Sequence, residues 1–565
     1  MPIPDEALYQ LLLENEYLDE KKLQKAATLG QQESLSLGEA LLQLDLISDE
    51  NLGKIIADYL KLPFTTLSKV AIPNDVLRVV PESVAQKYKL ISFAHDKNGL
   101  KVATTNLDHP EILEMLSQKV GDKIVPYFAT DQDINDSFRL YKKELQKTFN
   151  ELLKQQVTEV SKTPGQATKV INKDAPISKL VDLLIEYAYQ DKASDIHIEP
   201  EDENSLVRFR IDGILHDMVK LPKELHDQVA TRIKVLSRLR TDEHLSAQDG
   251  KMQIDLPQEK LDIRVSIVPI VAGEKVVLRL LSSRSRQFSL RDLGMNELDL
   301  EKVKNGFSKP YGMVLSTGPT GSGKTTSIYA MLKILNTREK NIATIEDPVE
   351  YQIDGINQIQ VNPKTNLTFV DGLRAILRQD PNVIFVGEIR DDETASIAVN
   401  SAMTGHLVLS TLHTNNAATA LPRLVDMKIE PFLVSSTVNI IIGQRLIRKI
   451  CEMCRVSSTK DTIEVGKHLP KDLIKKHFGD SKQIRVYHGK GCPVCHGTGY
   501  SGRVGIFEIL DVTEGIQQLI DQKADSSEIV KQAVSEGMTT MLDDGLEKVQ
   551  QGVTTIEEVL RAVRG

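Results

Sequence analysis

The chain has 565 residues, 41% hydrophobic and 26% charged, with 33 Gly, 22 Pro and a formal net charge of −9. That length exceeds what one core can serve and implies about three to five domains of ordinary globular composition. The acidic balance argues against a tracker of duplex DNA, which carries a basic domain, although a local basic channel can hide in the total.

The opening MPIPDEALYQ lacks the basic and apolar regions of a secretory signal. No window approaches the ~18 uninterrupted apolar residues of a spanning helix. The richest stretch, VSSTVNIIIGQRLIRKI from Val434, is broken by polar residues and turns basic. A cytoplasmic protein is expected, one that reaches a membrane only by docking onto a partner there.

Residues 1–62 read as helical and internally repeated. LLENEYLDEKKL from Leu12 overlays LLQLDLISDENL from Leu41 at a shift of 29 residues, with helix-start signals at Asp19 and Ser48. LISFAHD, LKVATTN and VPYFATD then alternate apolar and polar residues, so 63–150 is expected to be a small α/β domain. Residues 151–175, containing SKTPGQATK, read as a linker. In 176–285, Ile177, Leu180, Val181, Leu184 and Ile185 share one helical face, and the strand-like runs SDIHIEP, SLVRFRIDG, LDIRVSIVP and EKVVLRLL follow. Alternation places Arg264 and Arg279, like Arg208 and Arg210, on strands whose other positions form core, so their heads need an anionic partner or an exposed edge. Polar and basic SSRSRQFSLRDLG joins this domain to 286–448.

Within 286–448, STGPTGSGKTTS holds Gly318, Pro319, Thr320, Gly321, Ser322, Gly323, Lys324 and Thr325 in the pattern G-x-x-x-x-G-K-[ST], with Thr326 following. A buried strand, MVLST, leads in, and a helix, SIYAMLKIL, leads out. Glycines let backbone N–H groups close on phosphate oxygens at a helix N-terminus. Lys324 then supplies a point charge to the β- and γ-phosphates, and Thr325 a hydroxyl to Mg²⁺. A second buried strand, Val383 to Val386, ends at Glu388, where a carboxylate can orient water or touch the metal shell.

Residues 449–500 contain all four cysteines, Cys451-x-x-Cys454 and Cys492-x-x-Cys495, separated by 37 residues. That pattern suits a closed, structural Cys₄ zinc site, with Gly491 and Pro493 fitting a knuckle and a long polar loop between the pairs. A redox pair is the alternative. Residues 501–565 read as an acidic helical tail.

Two further stretches complete an ordered set of motifs: ATIEDPVEY (Ala343 to Tyr351) and TGHLVLSTLHTN (Thr404 to Asn415). With the phosphate loop and GLRAILRQDPNVIFVGEIRD, they resemble the Asp and His boxes of the hexameric ATPases of type II secretion and type IV pilus assembly, over Pro176 to Leu510. The resemblance implies an α/β multidomain protein: a RecA-like P-loop ATPase core preceded by a PAS-like α/β domain, with an N-terminal helical plus small α/β region. It implies ATP and Mg²⁺ as cofactors, favours zinc at the cysteines, and implies a homo-hexamer. Glu346, Glu350 and Glu388 are expected to form the acidic side of the site, with the general base left open among them. His413 is expected near the γ-phosphate with His406 supporting it, unless either is a satisfied core residue. Arg374 and Arg378, four apart, are phosphate-site or interface cations, or a salt-bridged surface stripe. Positions matching Arg264, Arg279 and Arg503 contact nucleotide in that family, the first two from the preceding domain across a mobile linker around 282–286. ATP turnover then becomes a rigid-body movement.

Some of the family's N-terminal domains bind cyclic di-GMP through a motif with Arg, Gly and Gln. Here LSLGEALLQLDLISDENLGKIIADY puts Ser36, Asp45 and Tyr59 at those positions. The fold is therefore expected without the dinucleotide, and the region is expected to dock onto an inner-membrane platform protein. The function that results is an ATP-driven motor for pilin-like subunits or secretion, with no nucleic-acid partner. The alternatives are a nucleic-acid translocase of conjugation type and a nucleotide-dependent scaffold without turnover.

Overall fold

The computed structural model describes residues 3–138, 174–282 and 289–564, apart from the short stretches 15–16, 19, 34, 45, 48, 68–69, 71, 106–109, 257–258, 463–468 and 480. Most of the linker expected at 151–175, hinge residues 283–286, and Asp19, Asp45 and Ser48 lie outside the described residues. The chain divides into two units, Met1–Gln287 and Phe288–Gly565.

The first unit begins with helices α1 (Asp5–Glu14), α2 (Glu20–Glu33), α3 (Leu37–Gln43) and α4 (Asp49–Leu60). The 29-residue shift relates α2 to α4 from their first residues, 20 and 49. Leu8 and Leu37, Leu12 and Leu41, and Leu23 and Leu52 are equivalent under it and all buried in one core. Ser36 caps α3: its hydroxyl and N–H both bind the Glu39 carboxylate at 2.6 and 2.9 Å, a capping box. The serine standing at the family's arginine position is thus occupied in starting a helix. Next come β1 (Leu90–Asp96), β2 (Gly99–Thr104) and β3 (Ile124–Phe128), ordered β1-β2-β3, with one antiparallel and one parallel pairing.

Helix α5 (Asp174–Gln190) opens the rest of this unit, two residues before the expected start at Pro176. It is followed by β4 (Asp195–Pro200), β5 (Asn204–Ile211), β6 (Ile214–Pro222), α6 (Lys223–Leu236), β7 (Gln248–Asp255), β8 (Lys260–Ile270) and β9 (Gly273–Leu281). The strands form an antiparallel sheet ordered β6-β5-β4-β9-β8-β7. Strand alternation decides its two faces. Ile196, Ile198, Val207, Phe209, Ile263, Val265, Val276 and Leu278 pack with α5 and α6 in one apolar core. The intervening positions carry Asp195, His197, Glu199, Arg208, Arg210, Arg264, Lys275 and Arg279 on the other face.

The second unit adds α7 (Glu297–Ser308), β10 (Gly312–Thr317), α8 (Lys324–Leu335), β11 (Ile342–Glu346), β12 (Asn357–Gln360), α9 (Phe369–Ile376), β13 (Val383–Val386), α10 (Asp392–Met403), β14 (Leu407–Leu412) and β15 (Val438–Ile450). A seven-stranded sheet runs β12-β11-β13-β14-β10-β15-β18, where β18 is Tyr500–Asp511 and only the β15–β18 pairing is antiparallel. Strands β10, β11, β13 and β14 are buried along their whole length, as a parallel sheet covered on both sides requires. Odd and even positions feed different cores: Met313, Leu315, Ile345, Ile384, Val386 and Val408 face one way, and Val314, Ile342, Val383, Phe385, Leu407 and Leu409 the other. The seventh strand starts at Tyr500, the last residue of the cysteine segment, and runs to Asp511 in the region expected to be helical, so the sheet closes only after the cysteine pairs.

Between the cysteine pairs the structure differs from the expected loop. β16 (Arg455–Asp461) and β17 (Gln483–Gly489) form an antiparallel ribbon, with α11 (Lys471–Phe478) in the same segment. Alternation in RVSSTKD and QIRVYHG supports it: Ile484 and Val486 are buried. Helices α12 (Glu514–Asp521), α13 (Ser526–Ser535), α14 (Met541–Gln550) and α15 (Ile556–Arg564) finish the chain. Among the described residues no helix is long and apolar enough to cross a membrane.

Helix α15 is fastened by a buried ion pair. Arg448 Nη2 donates to Glu558 Oε1 at 2.5 Å, Arg561 donates to both carboxylate oxygens at 3.0 and 2.8 Å, and the Arg448 guanidinium lies 4.2 Å from the Tyr500 ring centre. Burial alone would raise the Glu558 carboxyl, but the hydrogen bonds from Arg448 and Arg561 outweigh it and hold it at about 2. A folded pKa below the unfolded ~4.3 gives stabilisation that is present above that pH and lost as pH falls toward the folded value. Glu558→Gln should cost about 3 kcal/mol at neutral pH. Its deficit in thermal midpoint should shrink as pH is lowered from about 5 to about 2; a pH-independent deficit would contradict this.

Candidate functional site

The parallel strands of the second unit all point their C-terminal ends one way, and at that end of α/β sheets ligands are held. β10 delivers Gly318 there and α8 departs from Gly323, so the helix N-terminus opens on the loop. Gly318 (φ +144°) and Gly323 (φ +88°) take conformations that side chains resist. A Cβ on Gly318 would stand 2.4 Å from the Gln444 carbonyl oxygen, so clearance also demands glycine.

Pro319, Thr320 and Gly321 are exposed at the tip, and Thr325 and Thr326 are half-buried in the first turn of α8. Lys324 is buried, its Nζ donating to the carbonyls of Gly318 at 2.7 Å and Pro319 at 3.1 Å. Burial pushes its pKa down, and the charge of Glu388 works against that. The hydroxyls of Thr317, Ser322 and Ser327, which bracket the loop, are buried without a hydrogen-bond partner among the described residues. A cation resting on its own loop's carbonyls, three unpartnered hydroxyls and a cradle that only glycine permits fit a polyphosphate.

Glu388 directly follows β13 and Gly387. Its Oε2 lies 2.9 Å from His413 Nε2, and its other oxygen pairs with the Arg390 guanidinium. His413 follows β14, so two adjacent strands deliver the acid and the imidazole together. His406 sits elsewhere. It precedes Leu407, which pairs with Gly312 at the opposite end of the sheet. Its Nδ1 lies 2.9 Å from the Ser401 carbonyl oxygen. A strand of this length puts about 20 Å between the two histidines, which removes His406 from the supporting role expected of it.

Glu346 also departs from an open acidic site. It is 2% exposed at the end of β11. Its carboxylate accepts from the Tyr329 hydroxyl, from Thr344 Oγ1 at 2.6 Å and from Gln358 Nε2 at 3.2 Å. Burial raises its pKa against those three hydrogen bonds. Glu350, half-buried, donates its backbone N–H to the Tyr329 hydroxyl at 3.3 Å. Arg374 pairs with Glu393 on α10 at 2.9 Å, and Arg378, in a 3-10 turn beyond the end of α9, donates to the Arg374 carbonyl at 3.0 Å. Both side chains are exposed. Arg503 pairs in register with Arg448, five residues beyond Gly443, the partner of Thr317. It stands on an arm that reaches about 17 Å past the loop.

In the first unit, Lys251, Arg264, Arg279, Asp195 and Arg210 face one another in register across five strands. These strands include the interior β8 and β9, so the arginines are not edge residues. Arg279 Nε donates to Asp195 Oδ1 at 3.0 Å while its side chain remains 61% exposed. Four cations against one carboxylate in a single row leave a surface suited to an anion.

The cysteine sulfurs all lie within 4.8 Å of one another. The pairs Cys451–Cys492, Cys454–Cys495 and Cys492–Cys495 are 3.8, 3.9 and 3.7 Å apart. A tetrahedron with Zn–S of about 2.3 Å has S···S edges of about 3.8 Å. Burial pushes the Cys451 and Cys454 thiols up. Burial alone would do the same to Cys495, but N–H groups of Cys492 and Gly499 on its sulfur bring it down to about 7. The donor set fits a divalent metal.

Sequence reasoning missed Gln444, Arg390 and Tyr329. Gln444 is 2% exposed, with its amide nitrogen on the Ser322 carbonyl at 2.8 Å and its amide oxygen 3.4 Å from Ser316 Oγ. An amide directly after Gly443, closing the apolar run IIIG, was the available signal.

A family model described as type II/IV secretion system protein matches residues 170–561, and an MshEN domain model matches 60–147. The type IV pilus assembly ATPase PilB of Myxococcus xanthus is 35% identical over 561 residues, covering 98% of each chain. The type II secretion system protein E of Pseudomonas aeruginosa is 45% identical over 391 residues, 69% of this chain and 76% of that one. Among solved structures, the ATPase DotB of Legionella pneumophila superposes with a TM-score of 0.51 at 20% identity, over 70% of this chain and 96% of its own. That last likeness concerns fold alone.

Gln444→Ala should weaken binding of a fluorescent ATP analogue about tenfold, the ~1.4 kcal/mol expected when the loop loses one or two anchoring hydrogen bonds. Unchanged affinity in a folded variant would rule out the anchoring role.

Proposed function

The chain belongs to the type II/IV secretion system protein family, whose relatives include ATPases of pilus assembly and secretion, and we propose that it is a homo-hexameric motor. On this reading ATP hydrolysis drives the assembly of pilin-like subunits, or type II secretion, through an inner-membrane platform protein docked by the N-terminal region. The match to the pilus assembly ATPase runs through the N-terminal region as well, while the secretion protein matches over 69% of the chain. That difference favours pilus assembly.

The observation that carries the reading is the meeting of Glu388 with His413 at the sheet end that also holds the loop and Lys324. ATP with Mg²⁺ supplies the γ-phosphoryl group and the metal charge that lowers its barrier. The loop backbone and Lys324 bind the phosphates, and Thr325 offers its hydroxyl to Mg²⁺. Glu388 accepts a hydrogen bond from the attacking water, with His413 fixing the carboxylate and sensing the γ-phosphate. Glu350 contributes the second carboxylate, whereas Glu346, saturated by three donors, stays out of the chemistry. Arg264 and Arg279 supply cations to the phosphates, and Arg503 adds charge from the arm. Cys451, Cys454, Cys492 and Cys495 would hold zinc in a closed site, where the metal would serve structure.

Glu388→Gln should reduce phosphate release by at least about 100-fold while ATP affinity stays within about threefold, because the change removes a water-orienting charge and leaves the loop intact. Equal, near-zero release from both forms would leave a scaffold. Steeply salt-dependent stimulation by single-stranded DNA would point to a nucleic-acid motor. Metal analysis should give one zinc per chain, lost in Cys454→Ser/Cys492→Ser; metal-free protein with a disulfide would overturn the zinc reading.

A further inference from the structure

Tyr329 lies one helical turn beyond Thr325 on α8 and is completely buried, the largest side chain so enclosed. Its ring meets Tyr351 edge-on at 4.7 Å between centroids and Phe385 of β13 at 6.2 Å. The helix that carries the phosphate-binding lysine, the segment with both Asp-box glutamates, and the strand leading to Glu388 therefore share one aromatic ring.

The hydroxyl at the end of that ring is fully employed. It has one hydrogen to donate and two lone pairs to accept with. The hydrogen goes to the Glu346 carboxylate, and the lone pairs face the Glu350 N–H at 3.3 Å and Gln358 Nε2 at 3.4 Å. Thr344 and Gln358 donate to the remaining Glu346 oxygen at 2.6 and 3.2 Å, so Glu346 cannot turn without leaving buried donors unpaired. Gln358 Nε2, whose two hydrogens are shared among three acceptors, also reaches the Tyr351 carbonyl at 3.1 Å, on the far side of Glu350. Residue 350 is thus held by its own backbone and by that of its neighbour, from a single buried network.

We propose that Tyr329 is a positioning residue: clamped by Glu346, its hydroxyl sets where Glu350 stands relative to the phosphate loop. This rests on the ATPase reading and on Glu350 serving the chemistry. It gives Glu346 a different task from its neighbour four residues on, that of an acceptor which locks the tyrosine. It also ties any shift of α8 on phosphate binding to a shift at residue 350.

The test is a double-mutant cycle on the full-length chain with MgATP. Tyr329→Phe keeps the ring and removes only the hydroxyl. It should lower kcat about tenfold or more, with KM and the affinity for a fluorescent ATP analogue within about threefold of native. In a Glu350→Ala background the same change should cost less than about twofold, because the hydroxyl acts through residue 350. Equal losses in both backgrounds would overturn the proposal. So would a lower thermal midpoint with unchanged kcat, which is what a purely structural hydroxyl gives. Should Phe at 329 prevent folding, Glu346→Gln enters the same cycle, with the same non-additivity expected and additivity again decisive against the clamp. A native chain that binds ATP without turnover sinks the motor reading itself, an outcome separate from any of these.

Discussion

A buried ammonium group with no carboxylate bound to it among the described residues organises the second unit. Lys324 sits behind a loop that turns back under it, and its charge is met by two carbonyls of that loop. Carbonyl dipoles take two of its three hydrogens without neutralising it, and burial makes the remaining charge costly. An arriving phosphate relieves that cost, so the fold holds the anion site ready in advance. Much of the surrounding design keeps it so: β10 buried along its full length, Gly318 clearing the Gln444 carbonyl, and Gln444 itself tying β15 to the loop.

The same logic of paired and unpaired charge separates the other carboxylates and cations. Glu388 is set between an imidazole and a guanidinium at the strand ends, where water can reach its partners. Glu346 is fixed inside by three neutral donors. Two carboxylates from similar acidic motifs are thus set apart by burial together with the groups bound to each. On the first unit, Lys251, Arg264, Arg279 and Arg210 share one row across the sheet with Asp195, which meets Arg279 at 3.0 Å.

Much of this was legible in the sequence because periodicity and spacing carry it. Uninterrupted apolar runs gave β10 and β13, the 29-residue shift gave the equivalent helices α2 and α4, and the Cys-x-x-Cys pairs gave a cluster whose sulfur separations match a tetrahedron. What stayed hidden depended on which end of a strand a residue occupies. His406 and His413 bracket one strand, and only its parallel register with β10 shows that they lie at opposite ends. Tyr329 and Gln444 read as ordinary interior residues because their importance lies in hydrogen bonds to partners 17 and 122 residues away. The ribbon between the cysteine pairs reads as a loop in sequence because the stretch is long and polar, with Ile484 and Val486 its buried strand positions.

Nucleotide binding to the Lys324→Ala chain bears most directly on the claim that a pre-set, under-neutralised lysine makes the site. Titration with a fluorescent ATP analogue should show affinity reduced by at least about 100-fold, or ~2.7 kcal/mol, with the melting curve of the free protein unchanged or raised once the buried charge is gone. Native-like affinity in that folded variant would mean that the phosphates are held elsewhere, and the account of the site would fail.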